Sequence, residues 1–236
     1  MFNKESFKED PKPIFTHADH GITLPKLTRK NTTKGRMYST PTGNAYPSIT
    51  TVLGVTDDKK WLFEWRKRVG AAEANRITAQ SARRGTAVHK LAENYLDNVE
   101  DWKGKEQPAN LHMFKPLRKV LDEKVNNVWF QECFLFSDKL KTAGQVDCIA
   151  EYDGVLSIID FKTARRLKSE EDILNYFIQV TFYAAAFYEM TGVAIKQGVI
   201  LIAVENENPQ VFTFDVFEYM PHFMAVRKKF KEIKGV

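Results

Sequence analysis

The sequence predicts an α/β domain in which a small mixed β-sheet is flanked by helices. Two β-prone runs joined by Asp153-Gly154 predict a hairpin, because both turn positions of a two-residue loop need a positive φ. Helical periodicity is found before this hairpin and again over residues 173–190. A continuous apolar run at 198–204 then predicts a buried strand, which completes the alternation of strands and helices typical of this fold class.

The first 45 residues predict an arm that packs on the core, and residues 46–236 predict one domain. The arm is polar and rich in Pro, Gly and Thr, so we expect short strands and loops with a β-like patch near 36–38. It carries a group of basic side chains, at Lys26, Arg29, Lys30, Lys34 and Arg36.

Helices dominate the next part of the chain. Ser48 predicts the N-cap of a short helix, and Thr86 that of a later one, because their hydroxyls can accept from free backbone N–H groups. Asp57-Asp58 come directly before the helix expected at 59–70. The helices expected here span residues 49–53, 59–70, 71–81 and 87–96.

The second half of the chain predicts a sheet with helices between and after its strands. A polar loop at 99–110 comes first. The expected elements are then a helix at 111–124, a strand at 128–136, the hairpin at 145–162, the helix at 173–190, strands at 198–204 and 211–217, and a last helix at 220–233.

Composition narrows the class of protein. The 236 residues are 43% apolar and 12% aromatic, which indicates a globular chain, and the net charge of +5 suits an anionic partner. The two cysteines, Cys133 and Cys148, predict reduced core residues and exclude a four-cysteine metal or iron–sulfur site. No apolar run reaches 18 residues and the N-terminus does not resemble a signal peptide, so we expect a soluble intracellular protein without membrane contact.

The hairpin brings together the most informative side chains. If the loop is Asp153-Gly154, the register places Asp147 opposite Asp160, and Lys162 lies on the same face. Two carboxylates placed so closely repel, unless a cation lies between them. This group suits a hard divalent ion and a phosphate; the alternative is a surface ladder in which Lys162 only neutralises Asp160.

Two further pairs lie four residues apart on predicted helices. His89 and Glu93 share one helical face and could both reach a metal ion, although such pairs are more often solvated surface contacts. Gln179 and Tyr183 could order a water or contact a phosphate. Their alternative is a helix-packing pair whose polar ends are solvated.

Glu132 alternates with Phe130 and Phe134 along its predicted strand, so its side chain is expected to point toward apolar surroundings. An unpaired carboxylate there is costly. Two explanations remain open: Glu132 approaches the metal ion, or it pairs with a basic group in the core.

These motifs, in this order, resemble the PD-(D/E)XK nuclease superfamily and its RecB-like exonuclease branch over residues 46–190. The matching motifs are Gly85-Thr86-x-x-His89, Gly144-Gln-Val-Asp147, Ile158-Ile-Asp160-Phe-Lys162-Thr163 and Gln179-x-x-x-Tyr183. The fuller pattern is similar to the mitochondrial genome maintenance exonuclease family and its phage relatives. It adds Tyr46-Pro-Ser-Ile-Thr-Thr-Val-Leu53, Trp65 and Arg83-Arg84-Gly85-Thr86. Many members have Thr or Arg where this chain has Gln145, which changes no ligand.

The resemblance implies the restriction-endonuclease-like core and the role of each site residue. It implies Mg²⁺ or Mn²⁺ as cofactor, without an iron–sulfur cluster. The implied metal ligands are His89, Asp147, Asp160 and the Phe161 carbonyl. Glu93 is a candidate carboxylate, either around these ligands or on a second ion. Lys162 is the implied catalytic lysine, with Gln179 and Tyr183 as the fourth motif.

The function implied by the resemblance is metal-dependent exonuclease action on single-stranded DNA ends by a monomer. Aromatic and basic side chains before the first motif are typical of single-strand binding, although Trp61 and its neighbours could also fill a helical core. The residues expected to bind substrate are Ser48, Trp65, Arg83, Arg84 and Thr86, with Tyr46 near them. The alternatives are a structure-specific endonuclease and an inactive nucleic-acid-binding module. If the protein is phage-encoded we expect it in the bacterial cytoplasm, rather than in the mitochondrial matrix.

Overall fold

The computed structural model describes residues 12–56 and 59–235, without the side chains of residues 59 and 61. Asp57 and Asp58, which are expected directly before a helix, therefore lie outside the described residues, and so does the side chain of Trp61. The strands of this part of the chain are β1 Thr28–Thr32, β2 Gly35–Ser39, β3 Ala45–Pro47, β4 Val125–Ser137, β5 Thr142–Tyr152, β6 Val155–Ala164, β7 Gln197–Val204 and β8 Gln210–Asp215. The α-helices are α1 Ile49–Leu53, α2 Lys59–Val69, α3 Ala71–Leu96, α4 Pro108–Lys124, α5 Leu174–Thr191 and α6 Met220–Lys234.

The central sheet has the order β4-β5-β6-β7-β8. Strands β6 and β7 are parallel and α5 lies between them in the chain, whereas the other neighbouring strands are antiparallel. The sheet is therefore mixed and carries helices on both faces, which confirms the predicted fold class.

Each face of the sheet has its own apolar core. Helices α1, α5 and α6 cover one face, and α3 and α4 cover the other. Because side chains alternate along a strand, Ile158 of β6 packs in the α5 core while Ile159 and Phe161 pack in the α3 core. The same alternation places Lys162 on the α5 face, where its Nζ lies 5.0 Å from the centroid of the Tyr176 ring.

The predicted break between helices at residues 82–86 is wrong, because α3 runs without interruption from Ala71 to Leu96. Thr86 is not an N-cap: its hydroxyl donates to the carbonyl of Ala82 within the helix. Gly85 in a helix interior costs only about 1 kcal/mol relative to alanine, and burial of the apolar face of α3 outweighs that cost. This face is formed by Ala74, Ala87, Val88, Leu91, Ala92, Tyr95 and Leu96.

The other predicted elements agree with the structure to within a few residues. Three elements begin three residues early: α4 at Pro108, β4 at Val125 and β5 at Thr142. For α4 the reason is that proline suits the first turn of a helix. The last predicted strand is shortened to β8, and a 3₁₀ helix, Val216–Tyr219, follows it.

The arm contains the expected β-structure, as a separate antiparallel sheet of β1, β2 and β3. Its buried side chains Tyr38 and Tyr46 pack in a small cluster with Ala143 of β5 and with the half-buried Phe134. The arm is thereby seated against the start of β5, which leads to the site described below. Over residues 12–56 and 59–235, no helix combines the length and apolar character needed to cross a membrane.

Candidate functional site

The β5–β6 hairpin has the predicted register. Its pairs run without a shift from Tyr152–Val155 to Cys148–Ile159. The paired residues end one step before Asp147 and Asp160, and there the Asp147 carboxylate accepts a 2.8 Å hydrogen bond from the backbone N–H of Phe161. The side chain of Asp147 is thus fixed where the two strands separate.

Glu132 lies beside Asp147 on the neighbouring strand. Gln131 pairs with Cys148 and Cys133 pairs with Val146, so the register places Glu132 opposite Asp147. Glu132 has a φ of 48°, in the left-handed region that non-glycine residues rarely adopt. Backbone conformations of this kind cost about 1–3 kcal/mol and cluster at functional sites. The strand is therefore distorted at the residue whose role the sequence left open.

His89, Glu132 and Asp147 form a cluster that could hold a metal ion. Each offers one ligand atom, and these atoms lie within 4.8 Å of one another. The His89 Nδ1 is 3.4 Å from an oxygen of Asp147. Of the two explanations for Glu132, this position favours approach to a metal ion. The positive φ of Glu132 has no signal in the sequence.

Asp160 and Lys162 form a buried pair next to this cluster. One Asp160 oxygen is bonded to the Lys162 ammonium. The other oxygen is buried and has no hydrogen-bond partner among the described residues. Buried polar atoms are nearly always paired, so an orphaned carboxylate oxygen is a fitting ligand for a cation. Asp160 is not part of the three-residue cluster, and its sharing of an ion with Asp147 stays a prediction.

The charges of the site are strongly coupled. Burial raises the pKa of Asp160 to about 6, against the opposing effect of Lys162. Burial, with the nearby Asp147 carboxylate, also raises the pKa of Glu132 to about 7. Burial would lower the pKa of His89, but Asp147 outweighs it and the pKa is raised. Burial would raise the pKa of Asp147 in turn, and His89 and Lys162 hold it below its usual value.

This donor set fits a hard divalent ion. Mg²⁺ and Mn²⁺ prefer oxygen ligands and accept an imidazole nitrogen, which His89, Glu132 and Asp147 supply together. A bound cation would also relieve the repulsion between Glu132 and Asp147. The ligand roles predicted for Glu93 and the Phe161 carbonyl stay predictions. Glu93 lies at the same cavity but is bonded to Lys90 at 2.9 Å, outside the cluster.

Gln179 and Tyr183 act on the backbone of β5. The Gln179 amide donates to the Tyr183 hydroxyl at 3.0 Å, and that hydroxyl donates to the carbonyl of Gln145 at 2.8 Å. Both side chains are buried, so the alternative of solvated polar ends is wrong. A Cβ on Gly144 would lie 2.6 Å from the Tyr183 ring, which shows how closely α5 approaches β5 here. These contacts hold the strand two residues before Asp147.

An open cavity of about 460 Å³ lies over the cluster, between the arm, α1, α3 and the sheet. Two residues predicted to bind substrate, Ser48 and Thr86, are part of its lining. Ser48 is also the N-cap of α1, as predicted, and its hydroxyl accepts from the backbone N–H of Thr51.

The other residues predicted to bind substrate lie away from this cavity. Trp65 is half-buried on α2, and Arg83 is exposed on α3. Arg84 forms a salt bridge with Glu205 at 2.8 Å. Tyr46 is buried and bonded to Asp138, so its ring face is not available for stacking on a base. Arg83 and Arg84 instead line a second, larger groove between α3 and α4.

Comparison with known proteins finds curated relatives at 27–28% identity. The mouse mitochondrial genome maintenance exonuclease 1 is 28% identical over 196 residues, which are 77% of this chain and 54% of that protein. The human protein of the same name is 27% identical over 194 residues, 77% of this chain and 53% of its own length. The chain thus spans about half the length of the curated relatives it matches. A solved structure from Eubacterium rectale aligns with a TM-score of 0.36 at 13% identity, over 63% of this chain and 68% of that one.

The model of the PD-(D/E)XK nuclease superfamily matches residues 59–233. This match covers most of the chain and includes the β5–β6 hairpin, α3 and α5, which position the residues of the site. The chain therefore belongs to the PD-(D/E)XK nuclease superfamily.

Proposed function

We propose that this protein is a metal-dependent deoxyribonuclease, and specifically an exonuclease that hydrolyses single-stranded DNA from its ends. The observation that carries the proposal is the buried Asp160–Lys162 pair beside the cluster of His89, Glu132 and Asp147, at the floor of an open cavity. Membership of a nuclease superfamily supports the reaction type. The relatives named as exonucleases support action at ends.

Mg²⁺ or Mn²⁺ would be held by His89, Glu132 and Asp147, with the unpartnered Asp160 oxygen nearby. When bound, such an ion lowers the pKa of water and neutralises charge that develops on the phosphate. Lys162 supplies a fixed positive charge at the same place. Burial would lower the pKa of Lys162, but Asp160 and Asp147 raise it, so the ammonium stays charged.

The roles of the protein side chains follow from this electrostatic arrangement. Lys162 stabilises the negative charge that accumulates on the phosphate oxygens, as fixed cations do in a site from which water is largely excluded. Asp160 holds the lysine in position. Gln179 and Tyr183 act through the backbone of Gln145, and so keep the Asp147 end of β5 in place.

An end-labelled linear oligonucleotide and a covalently closed single-stranded circle test the proposal together. With Mg²⁺ or Mn²⁺ we expect the linear strand to be degraded and the circle to survive, and EDTA to stop the reaction. Cleavage of the circle would show that the protein is an endonuclease rather than an exonuclease. No cleavage of either substrate with any divalent ion would refute the proposed function.

Glu132→Gln is expected to stabilise the metal-free protein while it weakens metal binding. When folding raises the pKa of a carboxyl group, the folded protein loses stability as the pH rises from the unfolded-state pKa to the folded-state pKa. For Glu132 this range runs from the usual carboxyl pKa to about 7. Above about pH 7 glutamine avoids that cost, so the free energy of unfolding should rise by about 1–2 kcal/mol after allowance for solvent screening. Thermal unfolding without metal and calorimetric titration with Mn²⁺ measure the two effects.

Glu93→Gln is the matched control, since Glu93 lines the same cavity but lies outside the cluster. It should leave the stability nearly unchanged and weaken Mn²⁺ binding less than Glu132→Gln does. If Glu132→Gln binds Mn²⁺ as tightly as the unchanged protein, Glu132 is not a ligand.

A further inference from the structure

The β1–β2 hairpin of the arm presents two arginines to the cavity. Arg29 is paired with Tyr38 and Asn31 with Arg36, so these four side chains share one face of the hairpin. Arg29, Arg36 and Tyr38 are part of the cavity lining. Lys30 is paired with Met37 and therefore lies on the opposite face.

The backbone of Arg36 is held firmly against α1. Its N–H donates to the Thr51 hydroxyl at 3.0 Å, and its carbonyl accepts from the backbone N–H of Ser48 at 2.8 Å. The preceding Gly35 has a φ of 110°, and a Cβ there would lie 2.4 Å from the Thr51 side chain. Glycine thus lets the hairpin pack directly on α1. This packing fixes the backbone position from which the Arg36 side chain extends.

Charge is divided across the cavity. Arg29 and Arg36 are exposed, and neither has a carboxylate within 4.0 Å among the residues that the structure describes. Lys90 of α3 also lines the cavity, but its ammonium is paired with Glu93 at 2.9 Å, so the two arginines are the cations available to a phosphate. The acidic cluster, in contrast, lies at the floor. Cations on the walls above a metal-binding floor suit a chain of phosphates, because one phosphate can reach the floor while its neighbours meet guanidinium groups.

We propose that the β1–β2 hairpin is a phosphate clamp for a single polynucleotide strand, in which Arg29 and Arg36 bind phosphates next to the one that reacts. The clamp rests on the proposed function, and it extends the substrate site to residues of the arm. It contacts the sugar–phosphate backbone, so it grips the strand without regard to base sequence.

The test compares two double variants that remove the same charge from the same hairpin. Arg29→Ala/Arg36→Ala removes the two cations at the cavity, and Lys30→Ala/Lys34→Ala removes two exposed cations that are not part of its lining. Binding of a fluorescein-labelled oligothymidylate is measured by anisotropy in EDTA, over a series of salt concentrations, so that no cleavage occurs. All these side chains are exposed, so we expect both variants to have the same melting temperature as the unchanged protein.

We expect the arginine variant to bind at least about tenfold more weakly, and to lower the slope of log affinity against log salt by about 1.4, as for two lost contacts to a single strand. Its KM for linear single-stranded DNA should rise with little change in kcat. The lysine variant should keep both values close to those of the unchanged protein.

Equal weakening by the two double variants, or no weakening by the arginine variant, would overturn the clamp. Metal-dependent cleavage by the unchanged protein, measured in parallel, would then still stand and keep the proposed function. Absence of that cleavage is a separate result, which refutes the proposed function and the clamp with it.

Discussion

Replacement of Lys162 by alanine is expected to lower the rate of DNA cleavage by at least about 10²–10³-fold, the usual cost of removing one fixed group that stabilises transition-state charge. The fall should appear in kcat at saturating metal, because Lys162 is not a metal ligand. Initial rates on an end-labelled single strand at saturating Mg²⁺ measure it. Lys139→Ala, which removes an exposed lysine outside the cavity, should cleave normally. Near-normal activity of Lys162→Ala would remove the proposed catalytic role.

The same substitution also affects stability. It leaves the Asp160 carboxylate buried without its cation, and removing one partner of a buried pair costs about 3–5 kcal/mol. Because the pKa of Asp160 is already raised to about 6, protonation lessens this cost at acidic pH. The double variant Asp160→Asn/Lys162→Met should recover stability yet remain inactive. That combination separates loss of catalysis from loss of fold.

Asp147→Asn is expected to abolish metal-dependent cleavage by removing metal binding. The carboxylate lies between His89 and the backbone of Phe161, and asparagine can keep the hydrogen bond to Phe161 but loses the negative charge that a metal ion needs. Loss of a group that merely orients a metal ligand costs about 10–100-fold in affinity, so loss of Asp147 should exceed 100-fold. Calorimetric titration with Mn²⁺ gives the affinity.

Asp153→Asn makes the same chemical change in the turn of the same hairpin, where asparagine also tolerates the positive φ. It should bind Mn²⁺ normally. If Asp147→Asn keeps its affinity for Mn²⁺ but loses cleavage, Asp147 acts on the substrate rather than on the metal ion.

Features encoded over a short stretch of chain could be predicted from the sequence. The Asp153-Gly154 turn fixes the hairpin register, because one turn type with two residues allows one pairing of the flanking strands. Ser48 caps α1 for an equally local reason. The family motifs added the order of the site residues along the chain, which the fold then brings to one cavity.

Features that depend on contacts distant in the chain could not be predicted. The continuity of α3 through Gly85 depends on its burial against the sheet, which outweighs local propensity. Glu132 lies beside Asp147 through the pairing of β4 with β5, and its positive φ has no local signal in the sequence. The role of Arg29 and Arg36 likewise depends on how the arm folds over the cavity, and a basic composition alone does not reveal it.

The location of a bound Mn²⁺ ion tests the central claim most directly. Anomalous scattering from crystals grown with Mn²⁺ should show a peak coordinated by His89, Glu132 and Asp147 in the unchanged protein. The same crystals of Asp147→Asn should lack it. A crystal of the unchanged protein with saturating Mn²⁺ and no peak at these three residues would contradict the assignment of this site as the metal centre of a nuclease.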